Sequence, residues 1–241
     1  MPPEPLPAQQ NSSEIGVFLN LPYDEAYREL FLAYIAGLSV FGLTPHAALE
    51  DATSTRRLNR ICELIENCKY SIHDLSKLEF KSQPRRPRLN MPFELGLAVA
   101  RDIKSRNKPS WFIFAKDLTL FKSSLSDLDG TDVQIHSGER KMLFTKLMNV
   151  FSNPSLQVSV PLMEAVYQSL LNALPEIFED AGQDKGRETV FGTAVFRTLC
   201  AIAAKFVERR RAMAAVLAIG EALKKELPGG VKRRAMKRKR I

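Results

Sequence analysis

The chain has 241 residues, 45% of them hydrophobic, with a formal net charge of +8. That size suits one domain with an addition or two small domains, and the composition supports a packed core. No run of about 18 uncharged apolar residues is present, which argues against a transmembrane segment. Seven of the positive charges lie between Lys232 and Arg240 with no acid among them, so the remainder is nearly neutral.

Residues 1–13 are proline-rich and polar and read as a disordered leader, with neither the basic start nor the apolar run of a secretory signal. Ile15–Leu21 is a short apolar run suited to a buried strand, ended by Pro22. Asp24 to Val40 carries apolar residues at helical spacing, with Asp24 and Glu25 at its start. Leu43–Leu49 is a second strand, followed by Glu50 and Asp51. Thr53-Ser-Thr opens a second helix with Leu58, Ile61, Cys62 and Ile65 on one face. Tyr70–His73 is a third strand ending at Asp74, and Ser76–Leu89 is a polar loop with Arg85, Arg86 and Arg88. A helix from Asn90 to about Lys104, a strand Trp111–Ala115, a short strand near Val133–Ile135 and a helix over Arg140–Phe151 complete this unit.

Strand and helix alternate, which predicts a parallel sheet with helices on both faces. Beyond Ser152-Asn-Pro154 the β signal ends. Leu162–Phe178 reads as an amphipathic helix, and Val190–Leu227 as an alanine-rich helix broken near Glu208–Arg211. The division expected is a leader over 1–13, an α/β unit over 14–152, an all-helical appendage over 153–228 and a basic tail over 229–241.

Cys62, Cys68 and Cys200 show no metal spacing and cannot all pair, so buried, reduced thiols in a cytoplasmic protein are expected. His46, His73 and His136 make no zinc pattern. No phosphate-binding P-loop, dinucleotide glycine fingerprint or nucleophile-elbow serine motif is present. A carboxylate-based site remains. The carboxyl ends of parallel strands share one edge of the sheet, so Asn20, Tyr23, Glu50, Asp51, Asp74, Ser76, Lys116 and Asp117 converge there. His73, next to Asp74 in a strand, faces the opposite side of the sheet and reads as a core histidine.

Asn90-Met-Pro-Phe-Glu-Leu-Gly-Leu-Ala98 adds Glu94 to that edge. Asn90 is expected to be the N-cap, with Pro92 and Glu94 in the first turn and Gly96 allowing close approach of another backbone. A helix N-terminus favours an ionised carboxylate there.

Asn20-Leu-Pro-Tyr-Asp24, Ser71-Ile-His-Asp-Leu-Ser76, the Asn90–Ala98 motif and the strand Trp111–Ala115 together resemble the superfamily of nucleoside 2-deoxyribosyltransferases and Toll/interleukin-1 receptor (TIR)-like domains. Asp127-Leu-Asp-Gly130 resembles the bacterial nucleotide-binding branch of that group, and the likeness covers roughly residues 14–150. It implies a flavodoxin-like, doubly wound, five-stranded parallel sheet. It also implies cleavage of the N-glycosidic bond of a nucleotide or nucleoside, with Glu94 as nucleophile or oxocarbenium stabiliser and Asp74 near the sugar. Asp74 joins Glu94 as a candidate catalytic residue, and a departing purine would need an acid, for which Asp74 and Asp51 are the candidates. Asn20, Tyr23, Asp51, Ser76, Asn90 and Arg88 would bind substrate. NAD is expected as a substrate, with no cofactor and no metal. The alternative is a non-catalytic nucleotide-sensing or assembly module.

The helical appendage either packs on the sheet domain, drives self-association or lies on a membrane surface, and self-association is the expectation carried forward. The tail over 232–240 either contacts nucleic acid or an anionic surface, or is a solubilising end.

Overall fold

The computed structural model describes residues 15–49, 57–78, 88–105, 110–119, 125–128, 130–151 and 156–226. Asp51, Glu50, Arg85, Arg86 and the basic tail lie outside the described residues. The strands are β1 (Ile15–Asn20), β2 (Leu43–Ala47), β3 (Tyr70–Asp74), β4 (Trp111–Ala115) and β5 (Val133–Ile135). The helices are α1 (Arg28–Val40), α2 (Arg57–Asn67), α3 (Asn90–Ser105), α4 (Arg140–Val150), α5 (Val160–Asp180) and α6 (Thr193–Glu226).

The five strands form one all-parallel sheet in the order β2-β1-β3-β4-β5. This is the doubly wound, flavodoxin-like arrangement expected from the sequence. β2 contains Pro45, which has no N–H to give, and its edge position tolerates that.

Side-chain alternation sorts the two faces of the sheet. Val17 and Leu19 of β1 join the core beneath α1, whereas Phe18 packs with Ile61, Leu64 and Ile65 of α2 and Ala98 of α3. Leu19 is in register with Ile72, and Asn20 with His73. Asp74, two residues beyond Ile72, therefore shares the α1 face, whereas Asn20 and His73 share the α2–α3 face.

Every residue from Leu30 to Val40 is buried. A helix that is apolar all round needs cover on every side. The sheet covers one side of α1, and α4, α5 and α6 cover the rest. Gly37 admits α4 closely, since a Cβ there would sit 2.6 Å from Leu147 Cδ1. The C-terminal helices thus pack on the sheet domain and share its largest core. Phe31 of α1, for example, contacts Phe191 and Phe196 at ring-centroid distances of 5.1 and 5.7 Å.

Several sequence expectations need correction. α6 runs unbroken through Glu208–Arg211, where Arg211 turns its guanidinium onto the last turn of α1 and donates to Val40 O at 2.7 Å. Leu58 is 47% exposed and does not join the buried face of α2. Of the three free cysteines only Cys68 is buried, and Cys62 and Cys200 are half-buried.

Candidate functional site

β1 and β3 lie side by side, and their following helices leave to opposite faces of the sheet. Such a switch point opens a crevice at the carboxyl ends of the two strands. Here the crevice is a cleft of about 280 Å³ lined by Asn20, Leu21, Pro22, Tyr23, Arg57, Arg88, Asn90, Met91 and Glu94. Five of the residues singled out in the sequence meet in it: Asn20, Tyr23, Arg88, Asn90 and Glu94. Among the described lining residues, Glu94 is the acid.

Glu94 is 6% exposed. Burial pushes its carboxyl up to about 7, and the Arg57 guanidinium offsets only part of that. The expectation of an ionised first-turn carboxylate is therefore corrected. Phe93 N–H donates to Leu89 O at 3.0 Å, so Leu89 caps the helix, Asn90 is its first helical residue and Glu94 begins the second turn. The helix dipole fades beyond the first turn, and desolvation wins. Gly96 is exposed, and among the described residues nothing lies within 4 Å of where its Cβ would sit, so no described backbone approaches it.

Asn20, at the end of β1, is 4% exposed. Its Nδ2 donates to Met91 O at 3.0 Å and lies 3.0 Å from His73 Nδ1. His73 is wholly buried, and that burial lowers it to about 3, so the ring is neutral. With Nδ1 accepting from Asn20, Nε2 carries the proton toward Ser71 Oγ at 3.0 Å. His73 is thus a core residue that orients Asn20, whose Oδ1 remains as an acceptor. Arg88 is held beside Asp24 at 3.7 Å, and its N–H donates to Leu78 O at 2.6 Å. The Arg57 guanidinium stands 5.9 Å from the centre of the Tyr23 ring. Arg57 is a lining residue that the sequence did not single out; it opens α2, and only the fold brings it to the cleft.

The structure separates Asp74 from Glu94. Asp74 is 0% exposed, does not line the cleft and faces α1. Its Oδ2 accepts from Tyr27 OH, from Tyr34 OH at 2.8 Å and from His136 Nε2 at 2.9 Å. Its Oδ1 accepts from the Ser76 N–H at 3.0 Å and from the Ser76 hydroxyl. Burial alone would raise this carboxyl, but the hydrogen bonds from His136, Ser76 and Tyr27 outweigh it and hold it at about 2. The reading of Asp74 and Ser76 as sugar-side groups is corrected accordingly: both belong to a buried junction on the other face of the sheet.

That junction contains Asp, His and Ser, but it is not a nucleophile triad. His136 Nδ1 accepts the Gly138 N–H at 3.0 Å, so Nε2 is the nitrogen that donates, toward Asp74 at 2.9 Å and Ser76 Oγ at 3.1 Å. Ser76 gives its own hydrogen to Asp74, so no base withdraws it. Burial, and then the adjacent carboxylate, keep Tyr27 and Tyr34 well above the usual tyrosine range. Tyr34→Phe removes one donor to a charged acceptor and is expected to cost about 1.5–3 kcal/mol in urea unfolding. A change below about 0.5 kcal/mol would show that the Tyr34 hydroxyl contributes little there.

Lys116 and Asp117 are exposed and do not line the cleft. Among the described residues no group of three metal-ligating side chains occurs, and no helix is long and apolar enough to cross a membrane. Comparisons of the chain with protein-family models, curated proteins and solved structures give no match.

Proposed function

We propose that this protein cleaves the N-glycosidic bond of a nucleotide or nucleoside, with Glu94 as the reacting carboxyl. The observation that carries the reading is one buried acid, poised near neutrality, bordering a cleft at the switch point of the sheet.

Breaking a bond between a sugar and a base builds positive charge on the anomeric carbon. A carboxylate beside that carbon stabilises the charge or attacks it. A group with a pKa of about 7 in the empty cleft ionises readily when a cation develops next to it. Asn20, held by His73 and Met91 O, offers Oδ1 to a sugar hydroxyl. Tyr23 gives the sugar or base an apolar wall, and Arg57 and Arg88 give phosphate oxygens two guanidinium partners. That pair favours a nucleotide over a nucleoside.

The position of Asp74 supports one class of leaving group, while Asp51, the other candidate acid, lies outside the described residues. Fully buried and held at about 2, it supplies no proton to a departing base. Glu94 then acts without Asp74 as its acid partner, which suits a base that leaves without being protonated. Nicotinamide in NAD is already cationic on its bond to ribose and meets that condition. The three cysteines without metal spacing fit a reducing, cytoplasmic setting.

Incubating the protein with NAD, nucleotides and nucleosides and separating the products by chromatography tests the reading. Release of free base, lost in Glu94→Gln, supports it. No release from any of them, at high as well as low protein concentration, would leave a nucleotide-binding module without turnover. Release that survives Glu94→Gln would remove Glu94 from the chemistry.

A further inference from the structure

Val207 is the last residue of α6 that reaches the core, and Arg211, clamped to Val40 O, is where the helix leaves the body. Glu226 ends α6, so about 22 Å of helix projects beyond that clamp at 1.5 Å per residue. From Ala212 to Ile219 every residue is apolar and every one is exposed. Met213 is 60% exposed, Val216 68%, Leu217 59% and Ile219 60%. At 3.6 residues per turn these four fall within about 160° of one another around the helix axis. The other side carries alanines and Glu221.

Basic residues bracket the apolar stretch. Arg209 and Arg210 are exposed just before it, Lys224 and Lys225 follow it, and seven more basic residues lie between positions 232 and 240. This pattern discriminates between partners. Pairing with a second copy brings like charge together: between Glu208 and Arg240 the sequence carries twelve basic residues against three acidic ones, Glu208, Glu221 and Glu226. A nucleic acid satisfies the charges but leaves the apolar side in water. An anionic bilayer satisfies both, taking apolar side chains among the acyl chains while the basic groups meet lipid phosphates and carboxylates.

We propose that the projecting end of α6 docks this protein on an anionic membrane surface. The apolar stretch, Ala212–Ile219, covers about 12 Å, well short of the roughly 30 Å hydrocarbon layer, so it lies in the interface and does not span. The docking is independent of the activity proposed for Glu94.

The experiment is co-sedimentation of the full chain with phosphatidylcholine vesicles, with and without about 30 mol % phosphatidylserine. Binding to the anionic vesicles should exceed binding to neutral ones at least about tenfold, and should fall when salt rises from about 50 to about 500 mM. The double variant Val216→Asp, Leu217→Asp should lower binding about tenfold or more. Both side chains are exposed, so its circular dichroism and melting temperature should match the parent. Replacing the seven basic residues between 232 and 240 by Gln should also weaken binding, and would remove most of its salt dependence. No binding to anionic vesicles overturns the proposal. So does undiminished binding of the aspartate double variant, which would reduce the contact to the charge of the tail. A solution dimer that the double variant splits, or preference for duplex DNA when DNA and vesicles compete, would also overturn it.

Discussion

Asp74→Ala is expected to destabilise the protein by about 3–5 kcal/mol, the range for breaking a buried charged pair. The carboxylate is the common acceptor for Tyr27, Tyr34, His136 and Ser76, and all but Ser76 are buried. Its removal leaves these buried donors without their shared acceptor. A typical domain is stable by only about 5–15 kcal/mol, so the variant sits near the edge of folding. Activity lost by Asp74 variants should track their unfolded fraction in urea or thermal titrations. A well-folded Asp74→Ala with full stability would show that the junction contributes little.

The same junction sets an acid limit. Asp74 is held at about 2 in the fold against an ordinary 3.8. A depressed carboxyl gives stability that is complete above the unfolded value and is lost as pH falls through the folded one. The loss should therefore run from about pH 4 to about pH 2 and amount to about 2 kcal/mol. Asp74→Asn should flatten that part of the pH–stability curve.

Glu94→Gln is the second large effect, and it has two opposite signs. Base release should fall by about 10³-fold, because the amide neither bears the charge that meets the anomeric cation nor attacks it. Stability should rise at neutral and alkaline pH. Glu94 is raised to about 7 from 4.5, so its protonated form prefers the folded state. The full benefit is present below about pH 4.5 and is lost as pH climbs through 7. Above that the charged, buried group costs up to about 3 kcal/mol, which Gln does not incur. Urea midpoints at pH 4.5 and pH 8 check this: parent and variant should agree at the lower pH and separate at the higher one. Parallel curves would mean that Glu94 keeps its ordinary pKa. A residue that costs stability in the empty protein is what a reactive site requires.

Much of this architecture was readable from local patterning. The runs Trp111–Ala115 and Val133–Ile135 fall on β4 and β5 as expected, and alternation of strand and helix was enough to place the parallel sheet and its carboxyl edge. Asn20 and Glu94 were reached through that edge. What local patterning does not carry is the face a strand-end residue turns to. His73 and Asp74 were expected on opposite sides of the sheet, and that alone puts Asp74 away from Glu94 once α3 is known to cover the His73 side. The partners of Asp74 are 40 or more residues away in sequence at Tyr27, Tyr34 and His136, and no motif spans such gaps. One signal was present: Tyr27 and Tyr34 are seven residues apart within the helix expected over Asp24–Val40, and two buried phenols on one face need an acceptor. The shift of the α3 cap from Asn90 to Leu89 is a one-residue change that moves Glu94 out of the first turn, and burial then raises its carboxyl to about 7. The run Leu30–Val40, buried throughout and polar only at Ser39 and the Tyr34 hydroxyl, likewise announced a third layer that helical spacing alone does not show.

That third layer bears on how the chain is made. α1 is synthesised early, but α5 and α6, which wrap its outer side, come from the last third of the sequence. At about 5–20 residues per second, the ribosome leaves a greasy helix uncovered for on the order of ten seconds. A nascent chain halted after α4 would present that surface to chaperones, and translation speed through the second half should govern how much protein escapes aggregation.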